Sequence, residues 1–208
     1  MSGPEDQAAR WDARYAAAEG GLFGDRPNDY LRMIAARGDF RAETALMLAD
    51  GDGRNSTWLA REGLTVTAVD LSAEATARAK ARDRRAGVAV RRITADLAEW
   101  APAPGRNWQA ATILYLHGPE ALRLRALETA AGALAPGGWL VVEGFSTAQA
   151  AGEIGPDDPD KLYDPQWLFG WAEARLSIVE ALAGRVRLDE GARHAGLAEV
   201  VRLAARRA

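Results

Sequence analysis

The chain has 208 residues, 48% hydrophobic and 26% charged, with a formal net charge of −3. That balance suits a globular protein with a sizeable core; it offers no basic field for nucleic acid and no apolar run near the ~20 residues of a membrane span. The absence of cysteine excludes disulfides, a thiol nucleophile and a cysteine metal site, and the two histidines, His117 and His194, are too few for a histidine metal centre.

Met1 to Gln7 is polar, without a basic region followed by an apolar run, so no leader is expected and the default compartment is the cytoplasm. Residues 7–18 read as a short helix carrying Trp11 and Tyr15, and residues 20–28 as a glycine-rich loop. Pro27 suits the first turn of a helix running to about Arg37, whose Tyr30, Leu31, Ile34 and Ala35 fall at helical spacing. Residues 45–49 read as a buried strand, 54–61 as a crossover helix ended by Gly63, and 65–69 as a second strand. Ser72 is the expected N-cap of a helix to about Ala86, with Glu74 in its first turn. Residues 88–93 and 109–115 read as the third and fourth strands. Pro119 opens a helix through about Leu134, Pro136-Gly137-Gly138 forms a tight turn, and residues 139–144 make the fifth strand. Beyond residue 146 the rhythm changes. Residues 152–165 read as a loop, 166–173 as a short helix, and 175–188 and 195–205 as two strands around a turn at 190–194. This order predicts an α/β fold: a mostly parallel sheet, helices on both faces, and a closing hairpin with an antiparallel strand.

The segment from Thr44 to Ser72 carries most of the chemistry. Strand, glycine turn, helix, second strand and terminal acid together form a nucleotide-type site at the carboxyl edge of a parallel sheet. Gly51 and Gly53 let the backbone approach a ligand closely. Asp70, closing the second strand, is placed to accept from both hydroxyls of a ribose, a charge-assisted contact. The turn itself carries Asp50 and Asp52. Like charge beside a pyrophosphate is repulsive, whereas the sulfonium and ammonium of S-adenosylmethionine favour nearby carboxylates. The acidic turn therefore favours S-adenosylmethionine over a nicotinamide dinucleotide.

Four stretches then resemble a known family: Trp11-Asp12-Ala13-Arg14-Tyr15, Phe23-Gly24-Asp25-Arg26-Pro27-Asn28, the run from Ala49-Asp50-Gly51-Asp52-Gly53-Arg54-Asn55-Ser56 to Ala60, and Leu134-Ala135-Pro136-Gly137-Gly138. They resemble class I S-adenosylmethionine-dependent methyltransferases, and within these the small bacterial tellurite-resistance and thiopurine methyltransferase type. The likeness covers roughly residues 11–146. It implies a Rossmann-like sheet of seven strands, the last antiparallel, in one methyltransferase domain over residues 1–208. Within it, residues 1–40 are a helical cap, 41–146 the cofactor-binding core, and 147–208 a closing loop, helix and hairpin. The resemblance further implies that Arg14, Tyr15, Pro27 and Asn28 fold over the cofactor. It places Ala49, Asp50, Leu71 and Ser72 beside it, Asp96 and Leu97 at adenine, and Asn55 as a brace of the loop. Two positions depart from the pattern. Met47 stands where the group carries an acid that helps hold the methionine ammonium, and Ala49 replaces the first glycine. Alanine permits the same backbone approach if its dihedrals stay negative, and Asp50 is near enough to replace the lost carboxylate.

Tyr115 and His117 end the fourth strand, where the active groups of open α/β sheets gather, and are the catalytic candidates. A neutral imidazole there orients an acceptor or takes its proton. His194, in the expected hairpin turn, reads as structural, and Trp58 as core. Trp167, Phe169 and Trp171 read either as a lid over an apolar acceptor or as a core-packing helix. The implied reaction is methyl transfer to a small-molecule acceptor. A thiol or chalcogen nucleophile fits the lack of an obvious base, with oxygen and nitrogen acceptors left open. Two other readings stand beside it: a non-catalytic S-adenosylmethionine-binding module, and an NAD-dependent oxidoreductase using Gly51 and Gly53. No nucleic acid, membrane or metal partner is expected, and the chain is expected as a monomer or homodimer.

Overall fold

The computed structural model describes residues 4–149, 154–191 and 194–208. Their strands form one seven-stranded sheet in the order β3-β2-β1-β4-β5-β7-β6. β1 (Thr44–Leu48), β2 (Thr65–Asp70), β3 (Val90–Thr94), β4 (Trp108–Leu114) and β5 (Leu134–Phe145) pair in parallel. β7 (His194–Arg206) pairs antiparallel with both β5 and β6 (Ser177–Gly191). The crossover helices are α3 (Arg54–Arg61), α4 (Ala73–Ala86) and α5 (Glu120–Gly132). α1 (Pro4–Ala17) and α2 (Asp29–Ala35) precede the sheet, and α6 (Pro165–Glu173) precedes the hairpin. A second parallel mononucleotide half, the mark of a dinucleotide-binding fold, is replaced by that hairpin.

Alternation along β1 builds two cores from one strand. Leu46 and Leu48 join the cluster under α5 and α6, whereas Ala45 and Met47 join the cluster containing α2 residues Tyr30, Leu31 and Ile34. Both faces of the central strands are thus covered, which is why they read as nearly continuous apolar runs. Met47 is buried there, and its sulfur accepts a hydrogen bond from Thr112 Oγ1 at 3.0 Å. Trp171 is buried in the α6 cluster, with Trp167 and Phe169 packed against it, so the aromatic trio is core.

The observed elements depart from the sequence reading in four places. Asn28, not Pro27, begins the second helix: its Oδ1 accepts from the Leu31 N–H at 2.8 Å. β3 starts at Val90, two residues late. β5 begins before the Pro136-Gly137-Gly138 segment, because Leu134 pairs with Trp108 and the ladder then shifts to Ala110 opposite Trp139. The last two strands run longer than expected: Gly191 pairs with His194, so His194 is a ladder residue, and Glu190 sits at a register shift between Asp189 and Gly191. The hairpin's own turn, Ala192 and Arg193, and the first part of the expected 152–165 loop lie outside the described residues.

A buried ion network fixes the β1–α3 loop. Arg92 of β3 donates to Asp50 Oδ2 at 2.7 Å and, through Nε and Nη2, to both oxygens of Asp83 on α4 at 2.7 and 2.9 Å. Ser56 donates to the same Asp50 oxygen at 2.5 Å, and Thr57 to Asp83 at 2.7 Å. Buried charges are tolerated only when paired and hydrogen-bonded in this way. Burial pushes the Asp50 carboxyl up, and Arg92 pulls against it. The network also explains Gly53, which has φ +83°; a Cβ there would lie 2.6 Å from Arg92 and 2.8 Å from Ala79. Packing of Arg92, not ligand approach, requires that glycine.

Ala49 leaves β1 with φ +57°, so the condition of a negative dihedral is not met. The chain must turn sharply there to bring the Asp50 N–H to the Val69 carbonyl at 3.3 Å. A left-handed alanine costs about 1–2 kcal/mol, whereas glycine adds about 0.5–1 kcal/mol of unfolded-chain entropy. Ala49→Gly is therefore expected to raise stability by about 0.5–1 kcal/mol, read as a higher urea midpoint; an unchanged or lower midpoint contradicts this account. Arg92→Ala is expected to lower it by about 3–5 kcal/mol at pH 8. That deficit should shrink at pH 5, because the stranded Asp50 carboxyl, already raised by burial, then binds a proton and loses its charge.

Candidate functional site

The β1–α3 loop, the ends of β2 and β4 and the residues following β3 enclose a cavity at the carboxyl edge of the sheet. Of the expected residues, Tyr15, Ala49, Asp50, Gly51, Asn55, Asp70, Leu71, Asp96, Leu97, Tyr115 and His117 line it. Asp70 is the best-oriented of them. Its Oδ2 accepts from the Gly51 N–H at 2.7 Å and its Oδ1 from the Ser72 N–H at 2.9 Å. Each oxygen keeps acceptor capacity for a further donor. Burial, opposed by those two N–H groups, raises this carboxyl to about 6. Among the described residues no cation pairs with it. Asp96 Oδ1 accepts from the Ala98 N–H at 2.9 Å, closing a local turn at the cavity wall.

The structure keeps four expected residues out of that lining. Arg14 lies over the Trp11 ring at 5.0 Å and faces an adjoining cleft. Asn28 is fully buried: besides capping α2 it donates from its backbone to Asn55 Oδ1 at 2.7 Å and from its side chain to Glu143 and to Glu190. Gly53 faces Arg92. Ser72 caps α4 through the Ala75 N–H and donates to Asp12 of α1 at 2.5 Å, tying the N-terminal helix to the sheet. Asp50 also lines the cavity: its Oδ2 is engaged by Arg92 and Ser56, while its Oδ1 is buried without a partner. Asp52 is likewise paired, with Arg82 at 3.3 Å. The acidity read from the turn is thus neutralised locally, and the unbalanced charge is Asp70.

The N-terminal helix covers the loop. A Cβ at Gly51 would collide with the Tyr15 hydroxyl, so that ring lies directly on the loop backbone. The enclosed space is consequently about 100 Å³, below the ~300 Å³ of a typical small-ligand pocket. It adjoins a cleft of about 1100 Å³, with Trp11, Phe23, His117 and His194 common to both. Room for an adenosyl group at this edge would require Tyr15 to move off Gly51. The donor set suits it: a cation-free carboxylate for a diol, a glycine backbone beside it, and an apolar floor at Leu97 and Leu114.

The hairpin brings in residues that sequence reading set aside. Glu190 is buried and accepts from Arg54 Nη2 at 2.7 Å, Asn28 Nδ2 at 2.8 Å and the Asp29 N–H at 3.1 Å. Burial alone would raise it, but His194 and Arg54 hold this carboxyl at about 2. His194 Nδ1 lies 3.5 Å from Glu190, and its ring packs 4.3 Å from Tyr115 and 4.9 Å from Phe23. The expectation of a purely structural histidine in a turn does not describe a ring in this cavity wall. The sequence signal was the alternation of Leu188 and Glu190, both buried, which continues the strand past its expected end. Burial, reinforced by His194 and Arg123, depresses His117 to about 3, so it is neutral at physiological pH. Tyr115 has φ +56° and an unpartnered hydroxyl, and burial raises its phenol, so it stays protonated. The site can hold a diol and present neutral imidazoles to an acceptor; among the described residues no metal-binding cluster exists, and no helix is long and apolar enough to cross a membrane.

Comparison with known proteins agrees with this geometry. A family model described as a methyltransferase domain matches residues 45–138. The N-methyltransferase NodS of Bradyrhizobium japonicum WM9, solved with S-adenosylhomocysteine, is 16% identical with a TM-score of 0.71, covering 96% of this chain and 97% of that one. The [4+2]-cyclase SpnF is 17% identical, also at 0.71, covering 98% of this chain and 96% of the other. TehB of Haemophilus influenzae is 15% identical at 0.66, covering 86% of this chain and 62% of its own. A search of curated protein sequences returns no match. With the 3-2-1-4-5-7-6 sheet, and the matched segment running from β1 into β5, the chain has the fold of class I methyltransferases and is similar over residues 45–138 to a methyltransferase domain.

Proposed function

We propose that this protein methylates a small acceptor carrying a soft nucleophile, a thiol or chalcogen anion. Asp70 carries the cofactor half of the reading. Its carboxylate, held by two backbone N–H groups and free of any cation, accepts from the ribose hydroxyls. Ala49 and Gly51 present backbone beneath the nucleoside, Asp96 and Leu97 meet the adenine, and Asn55 braces the loop through Asn28. Trp11 and Tyr15 of α1 cover it. When bound, S-adenosylmethionine supplies a methyl carbon on a good leaving group, so alignment and exclusion of water carry much of the rate. Leu116, Leu122 and Phe23 line the cavity beyond Tyr115 and keep water out. His117, depressed to about 3, is too weak a base to deprotonate an alcohol or phenol, and a thiol needs far less help from any base in the wall. The likeness to NodS, an N-methyltransferase, keeps amines as the comparison class.

Titration calorimetry with S-adenosylhomocysteine tests the site. Binding of S-adenosylhomocysteine and none of NADH is expected; the reverse overturns the assignment. Because binding uses the ionised Asp70, affinity should fall as the pH drops through about 6, with roughly a tenfold higher Kd at pH 5 than at pH 8. Asp70→Asn turns one accepting oxygen into a donor facing a backbone N–H and should weaken binding about 10- to 100-fold; binding indifferent to both pH and Asp70→Asn would place the nucleoside elsewhere. Competition among benzenethiol, phenol and aniline as methyl acceptors should favour the thiol.

A further inference from the structure

We propose that Glu190 holds His194 as the Nδ1–H tautomer, and that the ring's free Nε2 takes the proton of the methyl acceptor. This rests on the methyl-transfer reading above and deepens it, making the hairpin tip the base of that site.

The argument begins with the carboxylate. Glu190 already accepts from Arg54, Asn28 and the Asp29 backbone, and its Oε2 is 3.5 Å from His194 Nδ1. A carboxylate surrounded by donors can only accept, so the ring nitrogen facing it carries the hydrogen. Neutral imidazole then has a lone pair on Nε2. The ring is oriented by packing: Tyr115 lies at 4.3 Å, Phe23 at 4.9 Å, and Phe145 meets it edge-on at 5.7 Å. His194 lines both the cavity at Asp70 and the larger cleft, which is where an acceptor entering by the cleft would reach a methyl group held above the loop.

His117 is the poorer base. Its Nδ1 is enclosed without a partner, no carboxylate pairs with it among the described residues, and its ring is stacked on Phe145. His194 differs by having a buried anion behind it. The charged and titratable groups facing His194 are Glu190 from β6, Arg54 from α3, Tyr115 from β4, and His117 beyond β4. Burial and Arg54 keep the resting ring neutral, while Glu190 opposes them. Glu190 therefore interacts most strongly with the imidazolium that forms only during reaction, which is the differential stabilisation catalysis requires. The step balances: the acceptor's S–H proton passes to Nε2, the sulfur lone pair forms the new bond to the methyl carbon, and the departing sulfur keeps the pair of the broken bond. The imidazolium then returns its proton to water. Under this assignment His194 is catalytic and Glu190 is a positioning residue.

The chain has only two histidines, so histidine labelled with nitrogen-15 gives two resolvable rings, and His117→Asn assigns them. At pH 7 the long-range proton–nitrogen spectrum is expected to show His194 unprotonated at Nε2 and protonated at Nδ1. Glu190→Gln should abolish the single tautomer, giving a mixture, and lower the ring's titration midpoint, since the anion that favours imidazolium is gone. A His194 ring protonated at Nε2 in the wild-type protein, or already imidazolium at pH 7, overturns the proposal without need of any variant. Diethyl pyrocarbonate, which attacks unprotonated imidazole nitrogen, should modify His194 as read by peptide mass spectrometry; an unmodified His194 would mean that Nε2 is closed to any acceptor and would equally overturn it. Neither measurement involves methyl transfer, so failure here is distinguishable from failure of S-adenosylhomocysteine to bind.

Discussion

Several carboxylates crowd the carboxyl edge of this sheet, and arginine neutralises three of them. Asp50 is paired with Arg92, Asp52 with Arg82, and Glu190 with Arg54. Asp70 is held by two backbone N–H groups and Asp96 by one, and among the described residues neither pairs with a cation. Desolvating a carboxylate is costly, and the cost falls most heavily on the group that lacks a cation. That is why Asp70 is raised to about 6 while Glu190 sits at about 2. The same arrangement makes Asp70 available: two N–H groups fix its plane, and its remaining lone pairs await a neutral donor such as a hydroxyl. A phosphate would meet an uncompensated negative charge. Selection of a phosphate-free nucleoside thus follows from which acid is left unpaired, and not from how many acids the turn contains.

The arginines do more than cancel charge. Arg92 ties β3 to α4 and to the β1 loop, and Arg54 ties α3 to the tip of the hairpin. Asn28 connects the same hairpin residue to α2, to Asn55 and to Glu143 of β5. Segments far apart in sequence are therefore locked around the cavity by directional, buried contacts. Apolar packing could not do this as well, because it sets distance but not orientation. The cover differs in kind. α1 is fastened through Asp12 to Ser72 and the Glu74 N–H, and by Arg78 to the carbonyls of residues 16, 18 and 20, contacts that are only partly buried. A rigid wall and a more weakly held cover suit a site that must admit a nucleoside and then exclude water.

Local pattern accounts for how much could be read in advance. The parallel strands were visible as apolar runs, the crossover helices by their caps and glycine stops, and the site edge by a glycine turn followed 19 residues later by Asp70. Ser72 as an N-cap was equally local. What escaped was every role set by a distant partner. Glu190 looked like a turn acid because Arg54 is 136 residues away. Asp50 looked free because Arg92 is 42 residues away. Gly53 looked like a ligand-facing glycine because nothing nearby revealed the arginine packed on it. Ala49 was given the glycine's role only on condition of a negative φ, because sterics argue against a left-handed alanine, and the turn overrode them. A side chain's type predicts what it can do; its partner decides what is left over for a ligand.

Strain marks the same edge. Among the described residues, the two non-glycine residues with positive φ are Ala49, ending β1, and Tyr115, ending β4, on adjacent paired strands. Each costs about 1–3 kcal/mol, so surrounding structure must over-determine it. At Tyr115 the Glu143 carbonyl accepts the backbone N–H at 2.7 Å, and Phe145 and His194 pack on the ring. The twist at Tyr115 is what sends Leu116 and His117 toward the cavity and sets the phenol against the hairpin histidine. The strained ends of two neighbouring strands therefore meet at one cavity: Ala49 sets backbone in its wall, and Tyr115 sets a phenol there against the hairpin histidine. A more relaxed edge would keep the sheet and lose the meeting point.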